Sequence, residues 1–432
     1  MPNSKKSIRF YLSLIIFSLV GQVAWVIENM YLNVFIYKMF HADAAMISAM
    51  VAASAVTATV TTLLIGALSD RLGKRKIFIC GGYILWGISI FSFALIRVDW
   101  IEKAFPSVVS AATLGATLVL ILDCVMTFFG SSANDACFNA WLTDSTDESN
   151  RGAMEGINAM MPLVAILVVF GGFMGVDQNL ESSWTLIFCV IGAAVLALGI
   201  AGFFLIEDTG VKTDENSRYF ANIFYGFRPS VVRSNLPLYG ALAMIALFNI
   251  SIQIFMPYLI LYYTETLKMS NYVLIFAPAI VVAAAFTALY GRVFDRKGFG
   301  FAILPPLGML MIGYVILYFF RSTAPVFAGS LIMMCGFLGT GAILGALVRR
   351  YTPEHKSGMF QGLRIVAQVL IPGIVGPAIG AAVLQNADKV LNSDGTYSFI
   401  PNRSIFLAAF LAALAAWAAL LPLLRLIKKQ EK

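Results

Sequence analysis

Twelve stretches of this chain are each long and apolar enough to cross a lipid bilayer, and that removes most fold classes from consideration. A crossing helix needs about 20 mostly apolar residues. The candidate spans are Ile8–Met39, Ala45–Ser69, Lys76–Ile96, Val108–Trp141, Gly152–Val176, Ser183–Ile206, Pro237–Thr264, Ser270–Phe294, Gly300–Phe320, Pro325–Val348, Gly358–Leu384 and Ser404–Leu426. In hydrocarbon every backbone amide must find its partner within the protein, so only helices and closed barrels span. Runs of this length select helices, and an all-α membrane protein is expected. Composition agrees. The chain is 59% hydrophobic and 12% charged, against about 25% charged in a soluble domain.

The polar connections fix an orientation. Lys5/Lys6/Arg9, Arg71/Lys74/Arg75/Lys76, Arg151, Lys212/Arg218/Arg228/Arg233, Arg292/Arg296/Lys297, Arg349/Arg350/Lys356 and Arg425/Lys428/Lys429/Lys432 all fall on one side. The other side receives Lys38, Arg97, Lys103, Lys268, Arg321, Lys389 and Arg403. Cytoplasmic loops collect basic residues, which places both termini in the cytoplasm and the protein in the cytoplasmic membrane. The net charge of +7 is therefore a set of topological signals and not a face for nucleic acid. The first apolar run is too long for a signal-peptide core and lacks a cleavage pattern, so it reads as a retained span.

Other chemistries find little support. Cys80, Cys124, Cys137, Cys189 and Cys335 are scattered through apolar segments, an odd set that forms no disulfide framework. His41 and His355 cannot make a histidine-rich metal site. No cofactor is expected. A membrane enzyme stays a remote alternative, because no nucleophile stands beside a base and no soluble domain is evident.

The chain repeats itself. GALSDRLGKRK follows the second span and GRVFDRKGFG the eighth, so that Gly66, Asp70, Arg71 and Gly73 match Gly291, Asp295, Arg296 and Gly298. STDESNRGAMEGIN follows the fourth span and YTPEHKSGMFQGLR the tenth, matching Thr146, Glu148, Gly152 and Gly156 with Thr352, Glu354, Gly358 and Gly362. Two matches at equivalent steps imply two pseudo-symmetric six-helix bundles, residues 1–206 and 236–432, joined by a cytoplasmic loop over 207–235. Such repeats imply a binding site near the midplane, reached alternately from each side.

With its span count, central loop and repeat, the GALSDRLGKRK segment resembles the signature of the major facilitator superfamily. That resemblance implies a cytoplasmic gate which must break when the site opens inward. Its residues would be Gly66, Asp70, Arg71, Gly73, Glu148, Arg151, Asp295 and Arg296. The competing reading is that these charges only fix topology.

Polar residues deep in the spans are costly and mark a pathway or a partner. The fourth span carries GSSANDACFNAW, with Asn134, Asp135 and Asn139; the alternative is a hydrogen-bond cluster that holds the bundle. Asp123 lies about 120° around the helix from Asp135 at 100° per residue, and its role is open. The first span carries a stripe of Gln22, Trp25 and Asn29 with Glu28 beside it. The offset that carries Asp70 onto Asp295 also carries Glu28 onto Gln253, with Asn249 one turn earlier. The eleventh span adds Arg364 and Gln368, one turn apart.

DACFNAW followed by STDESNR resembles span four and its loop in the glycoside–pentoside–hexuronide:cation symporters, the relatives of melibiose permease. Asp135 takes the place of a polar residue that there contacts sugar, Phe138 matches the aromatic, and Asp147, Glu148 and Arg151 match the loop charges. The paired acids of that family's second span are missing, so its sodium site does not carry over. The resemblance implies a monomeric symporter in a lipid bilayer, moving a small-molecule solute, a sugar or glycoside, by alternating access. Its solute site would be Gln22, Trp25, Asn29, Asp135, Asn139, Asn249, Gln253, Arg364 and Gln368, and Glu28 or Asp135 would be the proton-coupling acid. An exporter of lipids or amphipathic drugs on the same fold is the alternative.

Overall fold

The computed structural model describes residues 7–146, 150–207, 225–269, 271–352, 362–392 and 396–430, without the side chains of residues 151–153, 225, 292, 295 and 430. Among the described residues, twelve helices are long and apolar enough to cross a membrane. They are span 1 (Ile8–Phe40), span 2 (Ala44–Leu72), span 3 (Arg75–Phe93), span 4 (Ala111–Asp144), span 5 (Met154–Gly172), span 6 (Glu181–Leu205), span 7 (Leu236–Thr266), span 8 (Val273–Gly291), span 9 (Phe299–Phe319), span 10 (Thr323–Tyr351), span 11 (Gly362–Leu384) and span 12 (Ser404–Lys429). Among the described residues the one sheet is a small ribbon between spans 11 and 12, where β1 (Lys389–Leu391) pairs antiparallel with β2 (Tyr397–Phe399). The Asn392 amide donates to Thr396 Oγ1 at 3.0 Å and Ser398 Oγ at 2.9 Å and closes that ribbon.

Two compact units divide the chain. One is Met1–Ala42 with Val56–Ser217; the other is Asp43–Ala55 with Arg218–Lys432. The start of span 2 thus belongs with spans 7–12. Within that unit the Tyr258 hydroxyl donates to the Ala44 carbonyl at 3.0 Å, and Gly373 leaves room for the Ala55 methyl.

Lipid tails are as apolar as leucine, so helices in a bilayer associate through close packing and not through burial from water. Glycine supplies the closeness. A Cβ on Gly87 of span 3 would stand 2.6 Å from the Leu196 backbone nitrogen of span 6, and one on Gly199 would stand 2.6 Å from that of Ile84. Spans 9 and 10 use the same device at Gly313 against Met333. The turns repeat as well. Gly73 (φ 64) ends span 2 and its match Gly298 (φ 74) follows span 8, both in the left-handed region that glycine enters without a Cβ clash.

Helical register breaks where the polar residues sit. Span 1 is π-helical over Ile27–Tyr31, span 4 over Ser131–Phe138, span 7 over Tyr262–Thr266 and span 11 over Val366–Leu370. A π-segment widens the turn to i→i+5 bonding and recurs at functional sites. Span 7 also tightens to a 3-10 turn at Met256–Tyr258, around Pro257.

Candidate functional site

In the first unit the expected residues separate into three groups. Glu28 sits in the span 1 π-segment, 7% exposed, and accepts a 2.9 Å hydrogen bond from Thr127 Oγ1 of span 4. Asn29, the next residue, is exposed and returns its amide to the Trp25 carbonyl at 2.8 Å. Glu28 thus stands apart from the stripe beside it: it is buried, while Gln22 and Trp25 are half-buried. The Trp25 ring packs on Trp86 of span 3, centroids 5.0 Å apart, over the surface left open by Gly130.

Asn134 does something different from Asp135. Its amide donates to the Tyr83 hydroxyl at 2.7 Å, and Tyr83 donates to the Phe17 carbonyl at 2.8 Å. One buried carboxamide thus links spans 4, 3 and 1. Asp135 is half-buried, and the hydrogen bond it accepts, 3.0 Å, comes from Ser131 on its own helix. Asn139 is exposed; its amide donates to the Asp135 carbonyl at 3.1 Å. From there a polar line continues. Asn158 of span 5 donates to Asn139 Oδ1 at 3.4 Å and accepts from the buried hydroxyl of Ser18 in span 1.

The second unit brings Arg364 and Gln368 together: Arg364 Nε donates to Gln368 Oε1 at 3.0 Å across the start of the span 11 π-segment. Gln253 packs its Cβ against Gly376 of span 11, and Asn249 is half-buried a turn away on span 7.

At the basic end of the first unit an ion cluster centres on Arg75, whose side chain is 5% exposed. Its guanidinium pairs with Asp70, stands 3.1 Å from Asp144 Oδ2 at the end of span 4, and donates to Ser69 Oγ at 2.5 Å. Ser69 in turn donates to the Gly66 carbonyl at 3.0 Å. Cys137, fully buried, borders the same cluster through Ser69 and Arg75. Arg71 and Arg296 are exposed. Glu148 and Glu354 lie outside the described residues, as do the side chains of Arg151 and Asp295. Among the described residues no group of three or more His, Cys, Asp or Glu side chains could hold a metal ion.

The sequence profile of the Major Facilitator Superfamily matches residues 12–377. The chain belongs to the major facilitator superfamily. Solved structures of facilitators share its fold. A D-xylose-proton symporter covers 95% of this chain, and 97% of its own is covered, at 15% identity and a TM-score of 0.72. A bacterial homologue of the human lysosomal transporter Spinster, inward-facing and occupied, matches over 98% of each chain at 15% identity and a TM-score of 0.69. The nucleoside transporter NupG matches over 96% of this chain and 98% of its own at 12% identity and a TM-score of 0.68. No curated protein matches by sequence.

Several residues of this facilitator's polar network escaped the sequence reading. Asn158 is one, although a signal existed: the offset that carries Glu148 onto Glu354 carries Asn158 onto Arg364. Tyr83 and Thr127 gave none, since an aromatic or a threonine inside an apolar run has no period of its own. Arg75 was read as one charge of a basic run, and its turn inward between two aspartates has no sequence mark.

Proposed function

We propose that this facilitator is a secondary active transporter of a small polar organic solute, a sugar or glycoside first among the candidates, working by alternating access. The observation that carries this is the line Asp135–Asn139–Asn158. It sets a carboxyl and two carboxamides within apolar spans, with Asn139 exposed. Asp135 forms no tie to another helix through its bond from Ser131. Polar groups held this way in a spanning segment suit a wet pathway better than a lipid-facing surface. A carboxamide offers a donor and an acceptor side by side, which suits neutral hydroxyl groups. The folds it shares include a D-xylose-proton symporter and a nucleoside transporter, both named for hydroxylated solutes.

The same reading assigns Gln22, Trp25, Asn249, Gln253, Arg364 and Gln368 to the solute path, and Glu28 or Asp135 to the coupling proton. Residues 1–206 and 236–432 act as the two bundles. Arg75, Asp70 and Asp144 form the gate beside Gly66 and Gly73. On this reading both termini face the cytoplasm and the protein works as a monomer, and the resemblance at Asp135 and Phe138 supports kinship with the melibiose-permease branch.

The experiment is uptake of labelled D-xylose, melibiose and uridine into proteoliposomes, with and without an imposed proton or sodium gradient. Gradient-driven accumulation of a sugar is expected. Movement of a hydrophobic cation with no uptake of any hydroxylated solute would overturn the reading.

A further inference from the structure

Glu28 and Thr127 are 99 positions apart, on different helices, and both are buried: 7% and 0% exposed. Their side chains meet at 2.9 Å. The acid lies within the π-segment Ile27–Tyr31, next to the exposed Asn29. Thr127 stands four residues before the π-segment Ser131–Phe138, which carries Asp135. The hydrogen bond therefore joins two helices at their irregular turns, one holding a carboxyl and the other beginning the polar line of span 4.

The chemistry of the partner matters. A hydroxyl can donate to a carboxylate and can also accept from a carboxylic acid. An amide N–H or an ammonium, having no lone pair to offer, could not accept from the O–H of the acid form. Threonine beside a carboxyl can thus keep its contact when a proton arrives: the proton adds to the Glu28 carboxylate, and the Thr127 hydroxyl rotates from donor to acceptor. The new O–H on Glu28 is the only covalent bond formed. A bond meant only to hold two helices has no need of a partner with both capacities.

We propose that Thr127 is a positioning residue for proton coupling: its hydroxyl holds the Glu28 carboxyl in both protonation states and ties proton uptake on span 1 to span 4. This rests on the reading of Glu28 as a coupling acid. Two titratable groups of span 4 lie close by: Asp123, 1% exposed and one turn before Thr127, and Cys124, which lies within Coulombic range of both acids and in hydrogen-bonding contact with Thr57 of span 2.

The test is infrared difference spectroscopy of the full chain in lipid bilayers, between acid and alkaline pH. It needs no solute. The carboxylic C=O band of Glu28 is the band that disappears in Glu28→Gln. In the acid form the Glu28 O–H donates to Thr127, and a carboxylic acid that loses the acceptor of its O–H has a stiffer C=O, so Thr127→Val should move the band to higher wavenumber, and Thr127→Ser should restore the parental position. Thr127→Ala reads the same shift if the valine variant does not fold. A band unmoved by Thr127→Val or Thr127→Ala sinks the role of Thr127 and leaves Glu28 as the coupling acid. A serine variant that stays folded with the valine spectrum also sinks it. Absence of any Glu28-dependent band in the parent overturns both the role and the coupling reading beneath it.

Discussion

The Arg75 guanidinium stands 3.1 Å from the Asp144 carboxylate, joining the start of span 3 to the end of span 4 while it also pairs with Asp70 at the end of span 2. Arg75 is 5% exposed, whereas the side chains of Asp144 and Asp70 are 27% and 48% exposed. Removing one acid leaves a buried cation with fewer partners, a cost that partial exposure of the acids reduces. Asp144→Asn should therefore weaken this contact by about 1 kcal/mol, enough for roughly a fivefold change in a two-state equilibrium. Solute turnover should slow while equilibrium binding stays within twofold if Asp144 belongs to the proposed gate and not to the proposed solute line. Lost binding in a folded Asp144→Asn variant would contradict this.

Gly87 and Gly199 make the contact of spans 3 and 6 backbone-close, and a side chain at either has nowhere to go. The obstacle is the Leu196 or Ile84 main chain at 2.6 Å, which no rotamer change relieves. Gly87→Val should lower thermostability by more than the roughly 1–3 kcal/mol of ordinary overpacking. Gly81 offers the control, since nothing lies within 4 Å of a Cβ there. A thermal melt should show Gly81→Ala close to the parent and Gly87→Val well below it.

Topology has a direct test. Arg71 and Arg296 occupy matched positions and are both exposed. Cysteines placed there should react with a membrane-impermeant maleimide in inside-out vesicles and not in intact cells. Cys80, Cys137 and Cys335 are buried and give little background. Labelling of either site from outside would reverse the assigned orientation.

What could be read in advance follows from how many residues carry each signal. The spans were legible because about 20 apolar residues vote for each. Gly73 and Gly298 were legible because the same turn occurs twice. Glu28 and Asp135 stood out as acids in apolar surroundings. Their partners did not, since Thr127 and Tyr83 are ordinary members of spanning helices. The register of the stripes was also hidden. Gln22, Trp25 and Asn29 were placed on one face with a period of 3.6, and the π-segment at Ile27–Tyr31 changes that period within the stripe. No residue type announces a π-turn, because it arises from packing between helices. Arg75 shows the same limit: the sequence offers Lys74, Arg75 and Lys76 in a row, and only the fold selects which one turns inward.

Asn134 and Asp135 are neighbours in sequence with different hydrogen-bond partners, and a pair of substitutions separates the roles proposed for them. Asn134 donates to Tyr83, which donates to Phe17, so its carboxamide links three helices in a buried place. Asn134→Leu removes the donor and presses a branched side chain toward Gly21, where a Cβ would stand 2.3 Å from the Asn134 side chain. Leaving the Tyr83 hydroxyl without that donor costs roughly 1–3 kcal/mol, and thermostability should fall accordingly. Asp135 accepts from Ser131 on its own helix, a bond that asparagine can also accept. Asp135→Asn removes only the charge, and charge is what makes an aspartate expensive in a spanning helix, at about 2.5–3.5 kcal/mol on insertion scales. The variant should be expressed and at least as thermostable as the parent, yet fail in gradient-driven uptake by tenfold or more. If Asp135→Asn transports at the parental rate, the carboxyl is not part of the pathway. If it melts as early as Asn134→Leu, Asp135 belongs with Asn134 among the ties that hold the bundle.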